Sequence, residues 1–465
     1  MDYDVLILGG GIIGCAAAYE LSKYSLNIAL IEKNYDIADD VALVNSAIVY
    51  EGIHCSDSLV AKLEIMGNSM FDEITSKFNV PFKRFGSLII ASNDNEEKKL
   101  EEMYQRALDR GIEDVFLLDS QQVYEMEPNL NMSVKKALVS SNMGVVCPYD
   151  LAIGYGEVAF DNGVNFKLEE EVLDIQKISK GFRVITNKNK FTCKMVVNTT
   201  PGKNYSIDTS IKENQEDNAG TMNYFILDKN FKGNFSNILF HLNENDERFY
   251  TIPSVNANNI AAITTRENLT YADALKNISR LVSGISEEDI NAFYQATFHK
   301  EPIIIDDSAI DIGYIKVTGK HYGQVTMTPA IAKIVCETIT SNIKCKLRKD
   351  FIDKRRDFYR FRDLSNDERK KIIKVDKSYA NIVCLCNQVT EGEVVEAIRR
   401  PLGARTVQGV NRRTGATMGN CQGAHCINKV VSILARETNK NITEIVKDSK
   451  NSKVVLGRIK EFDGV

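Results

Sequence analysis

Four cysteines in the last quarter of the chain have the spacing of metal ligands. Cys384 and Cys386 form a C-x-C pair, and Cys421 and Cys426 form a C-x4-C pair after 34 intervening residues. Four thiolates are a complete ligand set for a 2Fe–2S or 4Fe–4S cluster, or for a structural Zn²⁺ ion. Zinc sites usually separate paired cysteines by two to four residues, and a C-x-C pair is cramped around one tetrahedral ion. The spacing therefore favours an iron–sulfur cluster, with zinc and disulfides as the alternatives.

The N-terminus carries a glycine pattern that suits phosphate chemistry. Gly9, Gly11 and Gly14 form a G-x-G-x-x-G motif between an apolar strand, DVLILG, and a helix, CAAAYELSKY. In this motif the first glycine permits the tight turn, the second admits a pyrophosphate, and the third lets helix and strand pack closely. Glu32 ends the next strand, NIALIEK, where it can accept hydrogen bonds from a ribose hydroxyl. The pattern predicts a dinucleotide site and does not separate FAD from NAD.

Helices must position the four cysteines. Thr390 and Glu393 form a capping box that opens one helix, Pro401 ends it, and another helix is expected from about Cys426. The cysteines are therefore expected on loops at helix ends, where free N–H groups stabilise sulfur charge. Nearby arginines either offset the charge of the cluster or form a solvated face. They are Arg399, Arg400, Arg405, Arg412 and Arg413.

Composition is that of an ordinary globular protein. The 465 residues are 43% apolar and 26% charged, with a net charge of −5, and their number suggests two to four domains. This charge argues against nucleic acid as a partner. No apolar run approaches the roughly 20 residues of a membrane span, and the apolar run at residues 4–18 is not expected to be a signal peptide. We expect a cytoplasmic protein whose contact with a membrane, if any, is made through a partner. The basic segment 346–362 is expected to be a linker.

Both ends of the chain, and much of the middle, resemble one family. The stretches GGGIIGCAAAYELSKY, PFKRFGSLIIA, GVVCPYDLAI and TPAIAKIV resemble flavoprotein oxidoreductases of the D-amino-acid oxidase superfamily. That group includes anaerobic-type glycerol-3-phosphate dehydrogenase and L-2-hydroxyglutarate dehydrogenase. The stretch CLCNQVTEGEVVEAIRRPLGARTVQGVNRRTGATMGNCQGAHC is similar to the 2Fe–2S domain of bacterioferritin-associated ferredoxin. The resemblance implies FAD and a 2Fe–2S cluster as cofactors.

The same resemblance implies which residues hold each cofactor. Those implied for FAD are Gly9, Gly11, Gly14, Glu32, Asn45, Ser46, Val172 and Gly323. In that assignment Asn45 and Ser46 lie beside the isoalloxazine. Val172 contacts adenine through its backbone, and Gly323 approaches the flavin ring. Those implied for the 2Fe–2S cluster are Cys384, Cys386, Cys421 and Cys426.

The expected fold class is α/β (α+β). It comprises a Rossmann-like FAD-binding domain, an antiparallel-sheet substrate domain and a small helical C-terminal iron–sulfur domain. The predicted segments are 1–80, 145–210 and 305–345 for the FAD-binding domain; 81–144 and 211–304 for the substrate domain; 346–380 for the linker; 381–435 for the cluster domain; and 436–465 for the tail.

The sequence departs from the family pattern around the flavin and the substrate. Tyr50 stands where the family usually has His, and Ala47 where it has Gly. Pro201 removes an N–H donor from a segment expected to contact the flavin. His299 and Lys300 occupy the place of G-L-R-A, whose arginine grips an anionic substrate, and neither replaces a bidentate guanidinium conservatively. The candidate catalytic residues are therefore His299, Lys300 and Tyr50.

Two functional hypotheses follow. In the first, the protein is an FAD-dependent dehydrogenase of glycerol 3-phosphate or a related 2-hydroxy acid. Hydride reduces the flavin, electrons leave singly through the cluster to a partner protein or quinone, and His299 and Lys300 contact the substrate anion. In the second, the flavin and substrate site has degenerated. The protein is then a non-catalytic electron-transfer or structural subunit of a hetero-oligomeric dehydrogenase.

Overall fold

The computed structural model describes most of the chain. The described residues are 1–39, 47–208, 219–228, 231, 233, 235–242, 248–253, 259–282 and 284–457. The predicted flavin neighbours Asn45 and Ser46 lie outside them.

The strands are, in chain order, β1 (Tyr3–Leu8), β2 (Ile28–Ile31), β3 (Ile48–Val49), β4 (Phe82–Arg84), β5 (Ser87–Ala91), β6 (Val115–Asp119), β7 (Lys136–Ser140), β8 (Gly144–Val146), β9 (Asn165–Lys167), β10 (Val172–Ile178), β11 (Gly181–Thr186), β12 (Lys190–Asn198), β13 (Ala219–Leu227), β14 (Ile238–Leu242), β15 (Arg248–Ile252), β16 (Ile260–Thr265), β17 (Ile290–His299), β18 (Ile304–Asp306), β19 (Tyr314–Thr318), β20 (Ile382–Cys384) and β21 (Val389–Thr390).

The α-helices are α1 (Ile12–Ser22), α2 (Ser58–Asn68), α3 (Phe71–Phe78), α4 (Asp94–Asp109), α5 (Ser120–Met126), α6 (Pro148–Asp161), α7 (Tyr271–Ile278), α8 (Gln324–Asn342), α9 (Asn366–Val375), α10 (Glu391–Arg399), α11 (Val407–Thr414) and α12 (Ile427–Thr438). Within the described ranges, no helix is both long enough and apolar enough to cross a bilayer.

The first sheet carries the N-terminal glycine turn. Its strands run in the order β10-β11-β12-β1-β2-β9, with β19 beside β12 and β18 beside β19. β1 pairs in parallel with β2 and β12, and β12 pairs in parallel with β19. Helices α6 and α8 pack against α1, and the β1 residues 5–8 are all buried, as expected of a parallel strand with both faces covered. Ligands of such sheets bind at the carboxyl ends of the strands.

The second sheet has the order β17-β13-β16-β15-β14-β5-β7-β6. Its neighbouring strands are antiparallel, apart from the parallel pair β14–β5. Alternate residues of β5 enter two different cores: Ile89 packs towards residues 48–53 and Tyr322, and Leu88 packs with α7 on the other face. A small third sheet has the order β3-β8-β4.

The last domain has a core of its own, to which α10, α11 and α12 contribute. The predicted capping box is confirmed: the Thr390 N–H donates to Glu393 Oε2 at 2.7 Å, and the Glu393 N–H donates to Thr390 Oγ1 at 3.3 Å. Cys426 caps the N-terminus of α12, as expected of a cysteine at a helix end. The same expectation is wrong for Cys384, because the C-x-C segment folds back as a hairpin and Cys384 ends strand β20.

The basic segment 346–362 is bound to α6 by ion pairs. Arg355 is buried and donates to Glu157 at 2.6 Å and to Asp150 at 2.7 Å. Arg400 of the cluster domain reaches the same Glu157 at 2.9 Å. Burial alone would raise the pKa of the Glu157 carboxyl, but Arg355 and Arg400 hold it below its ordinary value. The segment 346–362 and Arg400 therefore share Glu157 of α6 as an ion-pair partner.

Those contacts correct the expectation for the arginines near the cluster. Arg400, Arg412 and Arg413 do not form a solvated face, since they pair with Glu157, Asp39 and Asp36, respectively, and are largely buried. Arg399 is exposed and pairs with Glu437 at the end of α12. Sequence spacing could not identify the buried arginines, because the carboxylates that pair with Arg400, Arg412 and Arg413 lie more than 200 positions away along the chain.

Candidate cofactor sites

A cleft of about 650 Å³ opens at the carboxyl end of the first sheet. Its lining includes five residues predicted to bind FAD, brought together from distant parts of the chain. They are Gly9, Gly11, Gly14, Glu32 and Val172. The far side of the cleft is lined by Thr297, His299 and Gln324. The cleft therefore joins the dinucleotide turn to the end of β17 in the second sheet.

The glycine turn leaves room for a phosphate and none for side chains. Gly9 has φ +101°, and a Cβ on Gly14 would lie 2.0 Å from the carbonyl oxygen of Gly9. The Gly10 N–H donates to Glu32 Oε2 at 2.7 Å, which fixes the carboxylate beside the turn. Gly11 caps α1 without a side chain, so the helix end presents backbone N–H groups to an anion. These residues fit the pyrophosphate and ribose of a dinucleotide.

Lysines that the sequence analysis did not assign also line the cleft. Lys33 follows β2, Lys203 follows β12, and Lys320 follows β19. Each therefore comes just after a strand whose carboxyl end faces the cleft, and that position is the signal that could have identified them. Thr199 joins the strand ends, because its hydroxyl donates to the Leu8 carbonyl oxygen at 2.8 Å. The lysines add positive charge to the lining of the cleft, where Lys203 also pairs with Glu171 at 3.2 Å.

The remaining predicted residues have different positions. His299 lines the cleft. Of the described residues, Lys300, Tyr50 and Gly323 are not among those that line it. Lys300 pairs through its backbone with His321, and Gly323 caps the N-terminus of α8. The Tyr50 side chain is buried, and its ring centroid lies 4.9 Å from that of Tyr322. The three candidate catalytic residues are therefore not all exposed to one space.

An aromatic pair lies on the face of β17 opposite to His299. The rings of Phe298 and Tyr322 are nearly parallel, with centroids 5.1 Å apart and an interplanar angle of 9°. The Arg248 guanidinium lies 5.2 Å from the Tyr322 ring centroid. Burial alone would lower the pKa of Arg248, but the tyrosine phenols raise it above its ordinary value. The sequence analysis missed Arg248, whose signal is a lone cation at the start of the otherwise uncharged strand RFYTI.

Three ionisable side chains are buried between α2 and the second sheet. They are Glu51, His54 and Glu64. Burial raises the pKa of Glu51 to about 8, and burial and then Glu51 raise the pKa of Glu64 to about 8. Burial lowers the pKa of His54 to about 3. At neutral pH all three are therefore mainly uncharged. Glu64 approaches the turn before α8 closely, because a Cβ on Gly323 would lie 2.3 Å from Glu64 Oε1.

The four predicted cluster ligands meet in the last domain. Cys386 lies within hydrogen-bonding reach of Cys421, and Cys384 within reach of Cys426. The backbone N–H group of His425 contributes most to lowering the pKa of the Cys421 thiol, followed by the thiol of Cys386. Cys386 is exposed, whereas Cys384 and Cys426 are buried.

The loops that carry these cysteines pack closely together. A Cβ on Gly419 would lie 2.1 Å from the Cys386 Cβ, so the two ligand loops approach as closely as a glycine allows. In the part of the chain that the structure describes, no group of three or more His, Cys, Asp or Glu side chains is arranged to hold a metal ion. Two neighbouring pairs of thiols suit a cluster in which each iron takes two cysteine ligands.

The family models agree with both sites. Residues 4–338 match the FAD dependent oxidoreductase family, and residues 382–436 match the BFD-like 2Fe–2S binding domain. The chain belongs to the FAD-dependent oxidoreductase family. The predictions of FAD and of a 2Fe–2S cluster as cofactors are confirmed, as is the family resemblance. Which residues ligate each cofactor stays a prediction.

Similar proteins include one of nearly equal length. A glycerol 3-phosphate dehydrogenase of Caloramator mitchellensis is 36% identical over 98% of this chain and 99% of its own. A glycerol 3-phosphate oxidase of Mycoplasma pneumoniae is 31% identical over 41% of this chain and 50% of its own. An L-2-hydroxyglutarate dehydrogenase of Caenorhabditis elegans is 38% identical over 31% of this chain and 34% of its own.

Solved structures share the fold of the larger part of this oxidoreductase. The FAD-bound L-alpha-glycerophosphate oxidase of Mycoplasma pneumoniae superimposes with a TM-score of 0.64 at 20% identity, over 77% of this chain and 99% of that one. Glycine oxidase of Geobacillus kaustophilus gives a TM-score of 0.61 at 19% identity, over 77% and 99% of the two chains. The expected fold class is thereby confirmed.

Proposed function

We propose that this oxidoreductase is a dehydrogenase of glycerol 3-phosphate or a related 2-hydroxy acid that passes electrons through its 2Fe–2S cluster to an external acceptor. The observation that carries the substrate class is the full-length similarity to a glycerol 3-phosphate dehydrogenase. The acceptor would be a redox protein or a quinone-linked subunit. We propose that the protein is cytoplasmic. We also propose that it forms a hetero-oligomer whose partner subunit binds at the membrane.

The contact between the second sheet and the cluster loop supports the electron route. The Tyr294 hydroxyl lies 3.4 Å from Oε1 of Gln422, the residue after Cys421. Tyr294 belongs to the same strand as His299, which lines the cleft. Five residues of extended strand span about 17 Å, so a single strand connects the cleft to the cluster loop. Bound FAD supplies a hydride acceptor that can release electrons singly, and the cluster supplies a one-electron carrier.

The residues around His299 suit an anionic alcohol. His299 faces the cleft and can contact the substrate, and Lys300 follows it in the chain. We add Arg248 as a second cation, because a guanidinium binds a phosphate or carboxylate in two-point fashion and an ammonium does not. The Arg248 guanidinium lies over the aromatic rings of Phe298 and Tyr322, which form an apolar surface beside it. Such a site would bind the anion and leave the carbon chain of the alcohol on the apolar side.

Anaerobic reduction of the purified holoenzyme tests the proposal. Glycerol 3-phosphate and L-2-hydroxyglutarate are each added, while the flavin absorbance and the electron paramagnetic resonance of the reduced cluster are followed. We expect one of them to bleach the flavin and then reduce the cluster. Bleaching without cluster reduction would refute the electron route. If neither compound bleaches the flavin, the substrate class is wrong.

A pair of variants tests the role of the cation. Arg248→Met should raise the apparent dissociation constant of the reducing substrate roughly ten- to a hundredfold, since a charge-assisted hydrogen bond is lost. Arg183→Met, an exposed arginine on β11, is the matched control and should change nothing. An unchanged constant for Arg248→Met would remove Arg248 from the site and leave His299 and Lys300 as the proposed anion contacts.

A further inference from the structure

We infer that the cluster domain is part of the FAD site, because two of its arginines hold the segment 33–39 that borders the cleft. FAD affinity then depends on the docking of the cluster domain. The inference concerns cofactor binding, so it holds whichever substrate the enzyme oxidises.

The main contact is a buried two-point ion pair between the domains. Arg413 Nη1 lies 2.6 Å from Asp36 Oδ2, and Arg413 Nη2 lies 2.7 Å from Asp36 Oδ1. The side chains are 4% and 3% exposed, so neither charge is compensated by bulk water. Arg413 also donates to the carbonyl oxygens of Leu402 and Gly409, at 2.6 and 2.9 Å. Its own domain therefore fixes the position from which it holds Asp36.

A second pair joins the same domains closer to the cleft. Arg412 forms an ion pair with Asp39, and Asp39 itself lines the cleft. Asn34 Nδ2 donates to Asp39 Oδ2 at 2.9 Å, and the Asn34 N–H donates to Glu32 Oε1 at 2.8 Å. A continuous series of contacts thus runs from the cluster domain to the carboxylate predicted to bind the FAD ribose.

The segment is also tied to the glycine turn. The Ala38 N–H donates to the Gly10 carbonyl oxygen at 2.8 Å. Movement of residues 36–39 would therefore disturb both sides of the phosphate site, the turn and the Glu32 carboxylate. The contact between α11 and Asp36 is tightly packed, because a Cβ on Gly409 would lie 2.8 Å from Asp36 Oδ2.

The arginines lie on the helix that leads to the cluster. α11 ends at Thr414, and the chain continues through a short loop to the ligand Cys421. The conformation of that loop should therefore depend on the position of α11. Coupling of two binding events is reciprocal, so FAD should in turn strengthen the docking of the cluster domain.

The test measures FAD affinity in the full-length, cluster-containing protein after the flavin has been removed. FAD is titrated and the quenching of its fluorescence is followed, while iron content and the visible circular dichroism of the cluster report on the last domain. We expect Arg413→Met and Asp36→Asn each to raise the Kd of FAD roughly ten- to a hundredfold. Arg413→Lys, which keeps the charge and loses the two-point geometry, should fall between them and the wild type.

Arg399→Met is the matched control. Arg399 is exposed and pairs with Glu437 on α12, away from residues 33–39, so its loss should leave the Kd of FAD unchanged. A wild-type Kd in Arg413→Met protein with normal iron content would overturn the inference. If Arg413→Met protein loses its iron, Asp36→Asn decides, since that change leaves the cluster domain's own residues intact. A wild-type Kd there would equally overturn the inference, and a raised Kd with normal iron would support it.

Discussion

Glu64 is a buried carboxylic acid with no hydrogen-bond partner among the described residues, so its protonation should make stability depend on pH. The side chain is fully buried, and neither carboxyl oxygen has a hydrogen-bond partner among the described residues. Burial, followed by the nearby Glu51, raises its pKa from 4.5 to about 8. In the unfolded chain the same group would titrate near its ordinary value.

The size of the effect follows from the two pKa values. Below the pKa of the unfolded chain, Glu64 is protonated in both the folded and the unfolded state, so its ionisation does not lower the free energy of unfolding. Between pH 5 and 8 the unfolded chain loses the proton and the folded protein keeps it, so stability falls as the pH rises towards the folded pKa. Each pH unit in that window is worth about 1.4 kcal/mol, and we expect a loss on the order of 3 kcal/mol because Glu51 shares the titration.

Replacement of Glu64 by Gln removes the titration and keeps the shape. The free energy of unfolding from urea titrations should be nearly equal for Glu64→Gln and wild type at pH 5. At pH 8 the variant should be more stable by roughly 3 kcal/mol. Glu102→Gln, an exposed glutamate on α4, is the control and should follow the wild type at both pH values. If Glu64→Gln changes stability by the same amount at pH 5 and 8, Glu64 does not titrate between them and the argument from burial is wrong.

Three further predictions concern the cofactors and the domain contacts. Gly14→Ala should abolish FAD retention, measured as flavin content after gel filtration, because its Cβ would meet the Gly9 carbonyl oxygen at 2.0 Å; normal flavin content would show that the turn can relax. Arg355→Met should lower stability by about 3–5 kcal/mol in thermal unfolding, since it leaves buried carboxylates such as Glu157 short of a partner; a change below about 1 kcal/mol would mean that water replaces the guanidinium. Cys386→Ser should remove the cluster, seen in iron and acid-labile sulfide content, and retention of both would exclude Cys386 as a ligand.

The sequence by itself determined a dinucleotide site and a four-cysteine metal site, and the family resemblance narrowed these to FAD and a 2Fe–2S cluster. The glycine motif and the cysteine spacing both depend on short stretches of chain, and local geometry dictates which residue types can occupy them. Gly14 must be glycine because a neighbouring turn lies against it, and the capping box at Thr390 follows from hydrogen bonds three residues apart. The strands and helices of the first motif were predictable to within a few residues for the same reason. The domain boundaries and the ligand assignments stay predictions.

Only the tertiary structure decided how the domains meet and what lies behind the cleft. Arg413 was indistinguishable from a surface arginine until Asp36, 377 positions away, was placed against it. Arg248 and Glu64 were likewise ordinary residues of a strand and a helix until packing enclosed them. The physical reason is that burial and charge pairing depend on which elements pack together, and that choice is made by contacts between distant segments rather than by spacing along the chain.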